Sequence, residues 1–420
     1  IGFGQGHHVK ELLNRLGSKG YVNVLLLNPK AFVLFLSSEN VSELLSDPRC
    51  GFIWGGVQRI ATHLQENYAP SSNPAYPRVY YHDPSLATAD TTLHPLVDII
   101  RRLQTERTRN KIVGPIVTEN YRRNMGWIPV SRGVDELKGS LAKRPAIVIA
   151  AGPSLDQSVD RLSLFKERVP LLTVDTAARS LFFAGIVPDL VLTSDPNRAS
   201  LKHFEDIALS FPLAFLPSAN WTVLMQHQGP KWVAFPHGDK LGEALNAQTN
   251  KGMVWVAGTI TYFALEVARR LGCDPVIFVG LDLALTGGKS HAGAAQSAKP
   301  SLNRLEVPAI CGGKVETTDH LDSFRRAIET RIAQDPDCTF VDTKENGAII
   351  RGTISCSLEE VEKRWCHNLD KIPNPFDGPP VLQPVTVPIE LVETWENVTG
   401  NPYLRTSSSH KSNSAKKSGS

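Results

Sequence analysis

The apolar residues of this chain gather in short, unbroken runs rather than in strict alternation, and each run stops at a glycine, proline, aspartate or asparagine. Ala146 to Ala151 is the clearest: six apolar residues, three of them β-branched, ending at Gly152-Pro153-Ser154-Leu155. A run of this kind predicts a parallel strand covered on both faces. Leu171 to Val174, ending in Asp175-Thr176, and Leu190 to Ser194, ending in Asp195-Pro196, repeat it. Further runs predict strands at Leu213 to Leu216, Trp232 to Phe235, Met253 to Val256 and Val276 to Val279. Their exits carry Asn220, Pro236-His237-Gly238, Gly258-Thr259 and Asp282.

Helical periodicity fills the gaps. Ile260, Phe263, Ala264, Val267 and Leu271 share one face between Thr259 and Gly272, a start and a stop signal. A short helix is expected between Thr176 and Gly185, and a longer one from Thr318 with Leu321, Phe324, Ile328 and Ile332 on one face. Strands alternating with helices in this way predict a mostly parallel, Rossmann-like α/β sheet with helices on both faces. In such sheets ligands bind beyond the carboxyl ends of the strands, where these polar exits accumulate.

Toward the N-terminus, Ile1-Gly2-Phe3-Gly4-Gln5-Gly6 reads as a strand end and tight turn before an amphipathic helix with Val9, Leu12, Leu13 and Leu16. Strands are expected at Val24 to Leu27, at Phe32 to Leu36 and at Cys50 to Trp54, with a helix over Val41 to Leu45. The glycine-rich turn of this small α/β unit could hold a nucleotide, but Asn28-Pro29 stands where a dinucleotide site would offer an acid, so close packing is the favoured reading of its glycines. Because Ile1 stands inside the first strand-like run, part of the natural N-terminus is expected to precede it. One short strand is expected at Val79 to Tyr81, within a loop rich in Pro, Ser, Asn and Tyr. Leu93 to Asn124 reads as helical and basic, with Arg101, Arg102, Arg107, Arg109, Lys111, Arg122 and Arg123 on a solvated face. The divisions expected are a small α/β domain over 1–92, a helical linker over 93–142, a central domain over 143–355, a helical and proline-rich extension over 356–404, and a disordered serine-rich tail over 405–420.

Composition narrows the partners. With 45 basic and 42 acidic side chains the net charge is only +3, which gives no support to a nucleic-acid partner. No apolar run is long enough for a membrane span, and no secretory signal is expected from the residues given. The six cysteines form no Cys-x-x-Cys pair and read as reduced thiols of a cytoplasmic protein. Gly287-Gly288-Lys289-Ser290 is not a phosphate-binding P-loop, because residue 283, where that motif needs glycine, is Leu283.

The Gly152 to Leu155 turn, Asp175-Thr176, the Gly185-x-x-Pro188-Asp189 lead-in and Ser194-Asp195-Pro196 resemble the motility accessory factor (Maf) family. Val279 to Ala284 with Thr286-Gly287-Gly288-Lys289-Ser290-His291-Ala292 resembles that family's second signature, and the likeness runs to about residue 360. Phe340 to Ala348 resembles a third, from which Asp342 and Asn346 depart. The central domain is also similar to the archaeal 6-hydroxymethyl-dihydropterin diphosphokinase, MptE. The resemblance implies a sialyltransferase-like GT-A type central domain. It further implies a flagellin glycosyltransferase that moves a nonulosonic acid, pseudaminic or legionaminic in type, from a CMP ester to Ser or Thr.

For that reaction Gly152, Pro153, Ser154 and Leu155 suit the phosphate, through backbone amides and the Ser154 hydroxyl. Asp175, Thr176, Ser194, Asn220, Gly258 and Thr259 would complete the nucleotide site; Asp175 and Asp195 could equally cap the helices that follow. His291 is the candidate general base, opposite the reading of a surface-loop histidine. Lys289 would neutralise phosphate or carboxylate, Asp282 would orient His291 or Lys289, and Thr286, Gly287, Gly288 and Ser290 would form a substrate loop. Magnesium, if used, would sit on Asp175, Asp195 and Asp282. In the diphosphokinase reading the same three carboxylates hold magnesium between ATP phosphates. A third reading is an inactive module that binds flagellin or a sugar nucleotide.

Overall fold

The structure is a computed structural model. It describes residues 2–403 apart from 18–19, 39–41, 58–59, 61–79, 90–92, 94–95, 98–99, 101–112, 290 and 293–303. Two compact units are present, residues 1–115 and 116–420. The expected strand at Val79 to Tyr81, the basic residues Arg101 to Lys111, Ser290 and the serine-rich tail lie wholly or mostly outside the described residues.

In the first unit β1 (Val22–Leu25) pairs in parallel with β2 (Cys50–Ile53). The run around Phe32 to Leu36 is helical, not extended: a helix spans Pro29–Ser38. Asn28-Pro29 is a helix start, since the Asn28 side chain accepts from the Ala31 N–H at 3.0 Å and proline suits the first helical position. Phe32 and Phe35 then lie one turn apart and both pack edge-on to Phe3. The glycine-rich turn is filled by the chain itself. A Cβ on Gly4, at φ +53°, would come within 2.5 Å of the His82 ring, and the Gly4 N–H donates to the Ser85 hydroxyl. These glycines serve close packing, as the missing acid at Asn28 implies.

The second unit is built on nine strands: β3 (Arg132–Gly133), β4 (Ala146–Ile149), β5 (Leu171–Val174), β6 (Leu190–Thr193), β7 (Leu213–Phe215), β8 (Lys231–Val233), β11 (Val276–Val279), β14 (Phe340–Asp342) and β15 (Ile354–Ser355). Their order is β15-β14-β11-β4-β5-β6-β7-β8-β3, and every pairing is parallel. Helices cover both faces. Ile260–Arg270 and Asp319–Ala333 pack on one core with Phe278 and Leu192, and Leu155–Ser158 and Leu358–Val361 on another with Ile147 and Ile277. Around β7 and β8 a third core takes Trp127, Leu245 and Trp395.

Two parts depart from expectation. The run from Trp232 breaks after Val233, and β9 (Phe235–Pro236) leaves the sheet to pair with β10 (Met253–Val254). Residues 304–318 form an antiparallel hairpin, β12 (Arg304–Pro308) with β13 (Lys314–Thr318). The proline-rich C-terminal stretch is ordered against the sheet: the Phe376 carbonyl accepts from the Trp232 indole at 3.0 Å, and the Val385 N–H donates to Gly126 at 3.0 Å. A helix, Ile389–Thr399, follows.

Candidate nucleotide site at the strand-order reversal

From β4 the chain adds β5, β6, β7 and β8 on one side, then crosses back to add β11 and β14 on the other. The carboxyl ends of β4 and β11 therefore flank a topological switch point, the usual ligand position in such sheets. Here the two strand exits are tied together. The Ser154 N–H donates to Asp282 Oδ2 at 2.8 Å, the Ser154 hydroxyl donates to Oδ1, and the Gly152 N–H donates to the Gly280 carbonyl at 2.7 Å. Glycine is required at 152, because a Cβ there would lie 2.5 Å from the Gly280 oxygen and 2.8 Å from Asp282 Cγ.

This geometry revises two expectations. The amides of the turn are already committed: Gly152 to Gly280, Ser154 to Asp282, and Leu155 to Gly152 at 3.0 Å, while Pro153 has none. The turn thus positions Ser154 rather than presenting a ring of N–H groups to a phosphate. Asp282 in turn holds Ser154, not His291 or Lys289. Burial raises the Asp282 carboxyl above its ordinary range, against the pull of the Ser154 hydrogen bonds and Lys344. Lys344 itself is buried against Asp342, and burial likewise raises the Asp342 carboxyl despite that partner. The departure at Asp342 from the family pattern is therefore matched by its own counter-ion.

The other exits line the same edge. Asp175 is buried at the first position of helix Asp175–Phe183; it accepts from the Thr176 N–H at 2.7 Å and hydroxyl at 3.1 Å, and from the Thr193 hydroxyl at 2.8 Å. Burial raises its pKa, and the charge of His203 opposes the rise. Half-buried Asp195 accepts from the Asn197 N–H and amide at 2.9 and 2.8 Å. Asn220 caps helix Trp221–Gln226 by accepting from the Thr222 N–H at 3.0 Å. Thr259 precedes helix Ile260–Arg270 without a side-chain cap, after Gly258 in the left-handed region. Ser194 is half-buried at the end of β6.

Thr286 to Lys289 is a tight turn with Gly287 and Gly288 both left-handed, which leaves Lys289 exposed at its end. His291 follows, anchored through the Ala292 N–H, which donates to the Ala151 carbonyl at 2.8 Å. Its side chain is exposed, yet loss of solvent around the ring and then the nearby His203 push its pKa below the ordinary 6.5, which favours the neutral imidazole.

Sequence reasoning missed three contributors. His203, on the turn Arg198–Phe204, acts electrostatically on both Asp175 and His291. Asn120 and Asn124, one turn apart on helix 113–124, clamp two exits from below. The Asn120 amide donates to Pro196 and Ser218, each at 2.9 Å, and the Asn124 amide to Pro217 at 2.9 Å and Ala219 at 2.8 Å. A buried amide at helical spacing was the available signal, but nothing local distinguishes it from a solvated asparagine.

Among the described residues no group of three or more His, Cys, Asp or Glu is arranged to hold a metal ion, and no helix is long and apolar enough to cross a membrane. Asp175 and Asp282 each have both oxygens engaged by the protein's own donors, while half-buried Asp195 accepts on Oδ1 from Asn197. The six cysteines are free.

A family model described as 6-hydroxymethylpterin diphosphokinase MptE-like matches residues 119–288. No curated protein matches the chain. Among solved structures, a MAf glycosyltransferase from Magnetospirillum magneticum AMB-1 is similar with a TM-score of 0.51 and 17% identity, over 85% of this chain and 56% of that one. The chain thus spans little more than half the length of that structure, and at this identity the likeness is one of fold. Residues 119–288 are thus similar to the MptE-like family, in a chain whose fold is similar to that of a MAf glycosyltransferase.

Proposed function

We propose that the chain transfers a nonulosonic acid of pseudaminic or legionaminic type from its CMP ester to Ser or Thr hydroxyls of flagellin, in the cytoplasm. The observation that carries this reading is the convergence of the Ser154–Asp282 couple, Asp175, His203 and His291 at one sheet edge. Ser154, Asp195 and Asn220 hold the nucleotide, buried Asp175 braces the β5 and β6 exits through Thr176 and Thr193, and Lys289 neutralises the phosphate or the sugar carboxylate. Neutral His291 takes the proton from the acceptor hydroxyl as its oxygen bonds to the anomeric carbon; the sugar–phosphate bond breaks and CMP leaves with the electron pair. No step passes through a metal.

A second reading, ATP-dependent pyrophosphoryl transfer, is favoured by the MptE-like match itself. Incubation with flagellin and CMP-pseudaminic acid or CMP-legionaminic acid separates the two. The glycosyltransferase reading expects CMP release with a matching mass gain on Ser or Thr peptides, both lost in His291→Ala. Absence of transfer from either donor, with ATP consumed in the presence of a hydroxymethylpterin, overturns it.

A further inference from the structure

The helix Ile260–Arg270 begins at the carboxyl edge of the sheet. It packs on β4, β5 and β6, and Ile260 touches both of the cores that lie on opposite faces of these strands, a position open only at the rim. Thr259 and Ile260 are half-buried and Gly258 is exposed, so solvent reaches the first turn.

That turn lacks the partners a helix start normally has. Amides at a helix start have no intrahelical acceptor, and a side chain, water or a ligand satisfies them. Among the described residues the Ile260 and Thr261 amides donate to no acceptor. Thr259 stands at the capping position with extended backbone, φ −128° and ψ 139°, yet its side chain accepts nothing. No acid lies in the first turn, while Arg269 and Arg270 complement the other end of the helix dipole. The neighbouring helix starts are filled from within: Asp175 places its own carboxylate at one, and Asn220 and Asp239 cap the starts of Trp221–Gln226 and Lys240–Thr249.

Thr261 supplies a second, independent observation. It is only 5% exposed, and its hydroxyl makes no hydrogen bond to any described residue. Helical side chains lean toward the helix start, which carries this hydroxyl back over the free amides. A buried hydroxyl without a partner costs stability, so its presence calls for an acceptor from outside the chain. Two amides and a hydroxyl, all donors, at the positive end of a helix suit an anion with several oxygens.

We propose that the first turn of helix Ile260–Arg270 is a phosphate site, in which the Ile260 and Thr261 amides and the Thr261 hydroxyl donate to the phosphate oxygens. For its occupant the site rests on the proposed reading: the phosphate of the cytidine nucleotide lies here rather than on the Gly152 to Leu155 turn, whose amides are committed, and Ser154 is left to the rest of the nucleotide.

Calorimetric titration of the full chain with CMP, cytidine and inorganic phosphate, with thermal melts of the same variants, tests it. Two substitutions should weaken binding without weakening the fold. Thr261→Val exchanges the unpartnered hydroxyl for a methyl group, and Thr259→Asp supplies a capping carboxylate that takes the free amides itself. CMP affinity should fall about tenfold in Thr261→Val, the worth of one charge-assisted hydrogen bond, and further in Thr259→Asp, while cytidine affinity stays within about twofold of the parent's. The melting temperature should be unchanged or higher in Thr261→Val and about 2 °C higher in Thr259→Asp. CMP affinity kept in either variant places the phosphate elsewhere and overturns the site. So does an equal loss for cytidine, or a lowered melting temperature in either variant, which would mean that the hydroxyl or the amides already serve the fold. If CMP does not bind the parent, the nucleotide reading fails separately and inorganic phosphate decides the site: binding lost in both variants supports it, and no binding or no loss overturns it.

Discussion

Ser154 and Asp282, 128 residues apart in sequence, form a two-bond contact across the point where the sheet reverses its strand order. The contact fixes the serine and spends a buried carboxylate to do so. Asp282→Ala leaves the Ser154 N–H without its acceptor in a buried position, and should cost about 1–3 kcal/mol. Ser154→Ala removes only the hydroxyl and should cost about 1 kcal/mol. Asp282→Asn should fall below Asp282→Ala, since its oxygen still takes the N–H and its amide can donate to the hydroxyl oxygen. Urea unfolding of the three variants checks the order; Asp282→Asn at or above the cost of Asp282→Ala would contradict the account.

Asn120 and Asn124 should matter more than their polarity suggests. Each donates two hydrogen bonds to loop carbonyls at the exits of β6 and β7. Removing either amide leaves carbonyls unpaired in the interior, so Asn120→Ala and Asn124→Ala should each lower stability by about 1–3 kcal/mol. The loops carrying Asp195 and Asn220 should also lose hydrogen-exchange protection before the strands do. Variants within about 0.5 kcal/mol of the parent, with unchanged exchange, would show that these amides are not clamps.

The strand core was legible because burial on both faces leaves an unmistakable record. Ala146 to Ile149 and Val276 to Val279 are apolar without interruption, and glycine, proline or aspartate marks each exit. Helix Ile260–Arg270 was legible for the complementary reason, with Thr259 and Gly272 bounding a single apolar face. What failed was set by distant partners or by competing local signals. Asn28-Pro29 resembles a strand exit until the Asn28 cap is seen. The hairpin Arg304–Pro308 with Lys314–Thr318 carries Arg304–Glu316 and Lys314–Glu306 pairs across an exposed ladder, so it lacks the apolar run that marked the sheet. At the site, the positions of Asp175, Asp195 and Asp282 at strand ends could be read, whereas Ser154 as the partner of Asp282 could not, because only the fold brings residues so far apart together.

Acid should unfold the second unit partly through His227. The ring is buried, and burial, then the charge of Lys231, hold its pKa down to about 3 against an ordinary 6.5. The unfolded chain therefore binds one more proton between those limits, and stability falls as pH drops through that window, by up to about 1.4 kcal/mol per unit. His227→Leu should flatten the loss measured by urea unfolding at pH 7, 6 and 5 by close to one proton. An unchanged slope would mean that the histidine finds a proton-stabilising partner in the folded state.

The central claim, that the switch-point crevice takes a cytidine nucleotide, is tested most directly by a thermal-shift panel of the full chain with CMP, CTP, ATP and GTP, each with and without magnesium. A ligand that binds only the folded state raises its melting temperature by mass action. The account predicts stabilisation by CMP or CTP, independent of magnesium and reduced in Ser154→Ala. Selective stabilisation by ATP with magnesium, or no response to any of the four, would contradict it.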